Sequence, residues 1–272
     1  MKPKFAYTVN TPDTRAKALA WSGEPEAIFT KLRGMGYDGV ELFVRDPREL
    51  DPEFFRRALA SSGLVAAVVG TGQILAEDGL HLTHEDDAMR REALVRLKAT
   101  VDFAAELQSQ VNTGKIRGET GGSTQKKAWM EDAFRELEAY ARAKNVVVTI
   151  EPQHRFGCDN LNSTEQSLAW LRSMNLPNLK LMLDVFHMQI EDVCPPASFV
   201  EAADMCVHVH FADTNREAPG VGSIDFVLAL RMLKALKYDR FITMEIKQAP
   251  DSETAARRAI DYVRALADAI WR

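Results

Sequence analysis

Eight short apolar runs recur along these 272 residues, and each is followed by a stretch whose apolar positions have helical spacing. The runs lie at 5–9, 39–43, 65–69, 109–113, 146–151, 179–184, 206–211 and 241–246. Between them, 88–107, 125–144 and 253–271 read as amphipathic helices, the first with Met89, Ala93, Leu97, Val101 and Ala104 on one face. Ser163 followed three residues later by Gln166 reads as a capping box that opens a helix. Such alternation requires parallel strands joined by right-handed crossovers. A count of eight predicts an α/β fold closed into a (β/α)8 TIM barrel rather than an open doubly wound sheet. The length agrees, since such barrels typically run to about 250 residues. No Pro/Gly/Ser linker or low-complexity segment divides the chain, so 1–272 is expected to form a single (β/α)8 barrel domain. The Gly-rich stretch Gly70-Thr71-Gly72-Gln73 lacks the third glycine of a dinucleotide fingerprint. The run at 109–113 is poor in strand formers, and its assignment rests on the alternation.

Four of these runs end in a side chain that can ligate a metal: Glu151, Asp184, His210 and Glu245. They close the fifth to eighth strands, which are consecutive neighbours in a barrel, and strand C-terminal ends are where such barrels collect their chemistry. Each residue alone is weak evidence, because a glutamate after a strand is more often solvated or capping. Together they predict one hard, oxygen-rich site. Three carboxylates and one imidazole favour Mn²⁺, Mg²⁺ or Co²⁺ over a thiolate-type zinc site.

Other residues fall near that site. His187 lies just past Asp184, and Arg216 lies in the loop after His210; a loop histidine and a surface arginine are their bland alternatives. His208 shares a face with His210 by the period of two and lies deeper, as a structural or ligand-orienting histidine. Arg45 and Arg117 follow the second and fourth strands and are candidates for a carboxylate or phosphate on a substrate, since arginine binds such groups bidentately; a structural ion pair is equally compatible. Trp21 could stack on a sugar or pack in the core. Glu41 could hydrogen-bond behind the site or be structural.

Composition narrows the function. A net charge of -5 with only six histidines provides no basic footprint for nucleic acid. No apolar run approaches the roughly 18 residues of a membrane span, and the N-terminal stretch lacks a signal-peptide apolar region. Three cysteines without C-x-x-C spacing fit a reducing compartment. A cytoplasmic protein with neither a nucleic-acid nor a membrane partner is therefore expected.

The sequence resembles the xylose-isomerase-like sugar isomerase/epimerase superfamily, and within it the ketose 3-epimerases and the 5-keto-L-gluconate epimerase. The resemblance covers nearly the whole chain. It is carried by Gly36-Tyr37-Asp38-Gly39-Val40-Glu41, Val44-Arg45-Asp46-Pro47, Gly70-Thr71-Gly72-Gln73, Asp78-Gly79-Leu80 with Leu82-Thr83-His84, Glu151-Pro152, Asp184-Val185-Phe186-His187-Met188, and His210-Phe211-Ala212-Asp213-Thr214-Asn215-Arg216 with Ala218-Pro219-Gly220. It implies that Glu151, Asp184, His210 and Glu245 bind a divalent metal, with Mn²⁺ the leading choice. It implies that Glu151 and Glu245 form an acid/base pair, and that His187 and Arg216 hold substrate oxygens near a carbonyl. Gln73, His154 and Arg117 join the expected substrate-binding residues. The implied activity is metal-dependent epimerisation or isomerisation of a ketose or keto-sugar acid through an enediolate, in a homo-oligomer, dimer or tetramer.

The chain departs from the family at one place. Where the 3-epimerase pattern reads Glu-Pro-x-Asn-Arg-(Tyr/Phe)-Glu, this chain reads Glu151-Pro152-Gln153-His154-Arg155-Phe156-Gly157. A substrate-contacting glutamate has become Gly157, and losing such a contact typically costs about 1–3 kcal/mol. That leaves the sugar open. It also keeps two alternatives in view: a keto-inositol (inosose) dehydratase or isomerase on the same metal site, and a non-catalytic sugar-binding subunit.

Overall fold

The computed structural model describes residues 2–17 and 19–272. Among them, eight strands form one closed, all-parallel barrel in sequence order. They are β1 (Lys4–Asn10), β2 (Gly39–Phe43), β3 (Val65–Gly70), β4 (Val111–Thr113), β5 (Val148–Ile150), β6 (Leu179–Asp184), β7 (Cys206–Phe211) and β8 (Phe241–Met244). Closure comes from β1 pairing with β8, with Ala6 opposite Thr243 and Tyr7 opposite Met244. The open-sheet alternative is thereby excluded.

Three expected strands are shorter than their apolar runs: β8 stops at Met244, and β4 and β5 start late, for a shared reason. The helix Asp87–Glu106 ends with Gln108 in the left-handed region (φ 53°), and Ser109 N–H bonds back to Ala104 O at 2.8 Å. The helix Thr124–Ala143 repeats this with Asn145 (φ 58°) and Val146 N–H to Ala141 O at 3.0 Å. Each is a helix-terminating motif that uses the donor of the second residue past the cap. The first residues of the runs at 109–113 and 146–151 therefore belong to helix ends. Ser163 Oγ does accept the Gln166 N–H, at 3.2 Å, but the Gln166 side chain takes the N–H of Asn162 instead of Ser163. Half of the expected capping box forms.

The apolar core fills the space between barrel and helices. Phe29, Leu32, Leu97, Val101, Phe134, Leu137, Ile260 and Val263 from the helices pack there with odd-phase strand residues such as Val9, Val40, Val111 and Leu181. Inside the barrel the composition reverses. Thr8, Glu41, Asn112, Thr149, His208 and Thr243 are all buried, on the strand face that period two assigns to the interior. Gly39 marks a close approach in the wall: a Cβ there would lie 2.8 Å from both the Phe241 ring and the Val65 carbonyl.

Candidate metal centre

The ends of β5 to β8 bring Glu151, Asp184, His210 and Glu245 together, one potential ligand atom from each lying within 4.8 Å of the others. Asp184 is the last residue of β6 and caps the helix Val185–Glu191, its Oδ1 accepting the Phe186 N–H at 2.9 Å. His210 lies within β7, and Glu151 and Glu245 each stand one residue past their strands. His210 Nδ1 is 3.5 Å from Glu245 Oε2 and 3.9 Å from Glu151 Oε1.

The second atoms of His210 and Glu151 are held from behind. Glu41 Oε2 accepts His210 Nε2–H at 2.7 Å, which fixes the tautomer and leaves the Nδ1 lone pair facing the carboxylates. Glu151 Oε2 accepts from Gln153 at 2.8 Å and from Asn112 at 3.3 Å. Arg216 bonds Asp184 Oδ2 at 2.5 Å and also Glu245. What remains is informative: Glu151 Oε1 and His210 Nδ1 are buried and have no hydrogen-bond partner. Orphaned acceptors of this kind are rare in folded proteins, and two of them facing each other across three carboxylates fit a hard divalent cation.

The electrostatics follow from burial and neighbours. Burial pushes the Glu151 carboxyl above the usual range, against the pull of His210, and the Asp184 charge adds to the rise. Burial would raise Asp184 too, but Arg216, His187 and His210 hold it below the usual range. His187 is pushed down to about 3, first by burial. It is therefore a neutral imidazole at physiological pH. Its Nδ1 accepts the His154 N–H at 3.4 Å, so its proton sits on Nε2, 3.7 Å from Asp184 and 3.8 Å from Glu151.

A cavity of about 450 Å³ opens over these residues. Glu151, Glu245, His187, Arg216, His154 and Gln73 all line it. Gln73 donates to Asn10 Oδ1 at 3.2 Å. Arg216 adopts φ 63°, an uncommon conformation for a residue other than glycine, and the turn that imposes it runs from Asp213 O to Arg216 N at 2.8 Å. Its guanidinium also lies 4.7 Å from the Phe186 ring centroid.

Two expected anion binders do not reach the cavity. Arg117 is fully buried, and its guanidinium is consumed by Gly114 O and Glu151 O, both at 2.9 Å, and by Asn160. It clamps the backbone on either side of the site. Arg45 is engaged by Asp78 at 2.9 Å, with Glu49 and Glu77 within 4 Å. Trp21 is core: it bridges Val9 through the backbone and packs edge-on to Tyr7. His208 lies beneath the ligands, as the alternation predicts, with Nε2 2.8 Å from Thr243 Oγ1. Sequence reasoning overlooked Asn112, Gln153 and Lys115, all of which line the cavity. Strand phase could have found Asn112, and adjacency to Glu151 could have found Gln153.

The chain belongs to the xylose isomerase-like TIM barrel family, which matches residues 29–266. It is 27% identical over 259 residues to a probable ketose 3-epimerase of Synechocystis sp., covering 93% of this chain and 88% of that protein. It is 29% identical over 243 residues to the ketose 3-epimerase of Arthrobacter globiformis, with 84% and 81% covered. The D-allulose 3-epimerase of Methylomonas sp., solved in complex with D-allulose, superposes with a TM-score of 0.82 at 24% identity over 97% of both chains.

Proposed function

We propose that this protein is a divalent-metal-dependent sugar epimerase or isomerase that moves a proton on the carbon next to the carbonyl of a ketose or keto-sugar acid. The observation that carries this reading is the pair of carboxylates, Glu151 and Glu245, lining one cavity beside two orphaned buried acceptors. The relatives' ketose substrates support the substrate class.

Glu151, Asp184, His210 and Glu245 would hold the ion, with Mn²⁺ the first choice and Mg²⁺ or Co²⁺ as alternatives. A bound divalent ion supplies Lewis-acid stabilisation of the negative charge that develops on the substrate's carbonyl oxygen. The rest falls to the protein. One carboxylate of the Glu151–Glu245 pair takes the carbon-bound proton, giving an enediolate. The other carboxylate, on the opposite side of that planar species, returns a proton and inverts the centre. Proton return to the neighbouring carbon on the same side instead gives aldose–ketose interconversion.

His187 donates from Nε2 to a substrate oxygen as a neutral donor, and Arg216 offers a fixed cation beside the developing charge. His154 and Gln73 complete the substrate contacts. A cytoplasmic setting accords with three free cysteines.

The test is proton NMR in deuterated water on metal-stripped protein resupplied with Mn²⁺ and offered a panel of ketoses, keto-sugar acids and inososes. The expected result is deuterium at the carbon beside the carbonyl, with no loss of water. Elimination of water on an inosose would assign the dehydratase reading. Absence of exchange on every compound would leave only a binding role.

A further inference from the structure

Four charged side chains line the cavity: Glu151, Glu245, Arg216 and Lys115. Three are accounted for by the cluster. Arg216 is held by Asp184 and Glu245, and Glu151 by Gln153 and Asn112. Lys115 stands apart. Among the described residues, no hydrogen bond or ion pair engages its ammonium, although ion pairs are common elsewhere on this chain. It opens the short 3-10 turn Lys115–Arg117 after β4, one residue from Gly114, whose Cβ position would lie 3.0 Å from Glu151 Oε2. The turn is fixed from below by buried Arg117, which bonds Gly114 O and Glu151 O. The base of the Lys115 side chain is therefore set relative to Glu151, even though its tip is exposed.

The opposite wall keeps that ammonium free. A Cβ on Gly157 would lie 3.0 Å from Lys115 Nζ and 3.3 Å from His154 Cε1. Any side chain there would contest the space, and an acidic one would neutralise the lysine. Glycine instead lets the Lys115 ammonium and the His154 ring edge pack against the main chain at 157, and both side chains line the cavity that also contains the candidate proton-transfer pair. A neutral hydroxyl gains little from a full, unpaired cation; a carboxylate or phosphate gains a charge-assisted bond. The same cation repels an amino sugar, so it acts by exclusion as well as attraction.

We infer that Lys115 reads an anionic substituent, a carboxylate or a phosphate, on the sugar that this cavity accepts, so that the substrate is a sugar acid or sugar phosphate rather than a neutral ketose. The inference rests on the sugar-site reading above but not on turnover. The ammonium of Lys115 pairs with the anion on the cavity side, while the polar body of the sugar lies toward His187 and Glu245.

The experiment is calorimetric binding of three unreactive polyols to the Mn²⁺-loaded protein: D-glucitol, D-gluconate and D-glucitol 6-phosphate. At least one anion is expected to bind about 10- to 100-fold tighter than glucitol, the range of a charge-assisted hydrogen bond. In K115M that preference collapses toward unity, in K115R it is largely retained, and thermal melting verifies that both variants fold. Gluconate preferred over the phosphate assigns a sugar acid, and the reverse assigns a sugar phosphate. Equal binding of all three polyols, or an anion preference that survives in K115M, overturns the inference. A preference abolished by K115M, with no solvent exchange on any ketose, keto-acid or ketose phosphate, upholds the inference and removes the proton-transfer reading alone.

Discussion

The carboxylate of Glu41 on β2 reaches across the barrel interior to His210 on β7 and accepts a hydrogen bond from its Nε2–H at 2.7 Å. Burial alone would raise the Glu41 carboxyl, but His210 and His208 override it and bring it down to about 2. Glu41 is thus an anion behind the imidazole, and the imidazole is oriented before any ligand arrives. E41Q should weaken Mn²⁺ binding about 10- to 100-fold, the usual effect of losing a ligand's outer partner. Metal titration by calorimetry reads this directly. Unchanged affinity in a folded E41Q protein would show that the contact is purely structural.

Glu151 and Glu245 are proposed to share the proton-transfer work, so E151Q and E245Q should each lower solvent exchange at the substrate carbon by at least about 100-fold, the lower range for positioned acid–base groups. Asymmetry between them is informative. With an epimer substrate pair, each variant should retain more solvent exchange with one epimer than with the other, because each carboxylate removes the carbon-bound proton of only one epimer. Equal residual exchange in wild type and both variants would exclude the pair.

Asp213 anchors the loop that aims Arg216. Its carboxylate accepts N–H bonds from Thr214 and Gly220 at 2.8 Å and from Ile224 at 3.1 Å, and a Cβ on Gly222 would collide with it. Burial would raise this carboxyl, but those backbone donors hold it below the usual range. A depressed folded pKa contributes stability in full above the unfolded value of about 3.9 and loses it as pH falls through the folded value. D213N should cost about 1–3 kcal/mol at pH 6, and the gap from wild type should close below about pH 4. Urea unfolding across pH 3–7 measures both.

Arg117 donates to three carbonyls and a side-chain amide oxygen in a site with no solvent access. R117M should destabilise the fold by about 2–4 kcal/mol, since the carbonyl of Glu151 and its neighbours lose their partner. A variant of wild-type stability would show that water replaces the guanidinium without cost.

The barrel and the carboxylate–histidine cluster were legible because both follow from period. Strand phase alone puts Glu151, Asp184, His210 and Glu245 on one interior face at one end, and the structure gathers them within 4.8 Å. What failed depended on contacts that phase does not encode. Arg45 and Arg117 sit in loops at the correct end, yet Asp78 and the carbonyls of Gly114 and Glu151 take their guanidinium groups. Whether an arginine faces a ligand or its own backbone is decided by partners distant in sequence. Lys115, between those carbonyls and Gly157, was overlooked because a lone lysine in a loop has no periodic signature. The shortened β4 and β5 were invisible for a related reason: left-handed Gln108 and Asn145 end their helices without the usual glycine.

The polar interior of the barrel has a consequence for how this chain can diverge. Between barrel and helices, aliphatic side chains can be exchanged at nearly constant volume with small penalties. Inside, hydrogen bonds join Thr243, His208 and Gln110 in one group and Thr149 with Asn112 in another, and an isosteric change such as Thr243→Val strands a donor or acceptor with no water to relieve it. Drift should therefore accumulate on the outer shell and in the loops, Gly157 among them, while the inner lining changes only through paired replacements. Selection for a new sugar would act first on the rim and last on the shaft beneath it.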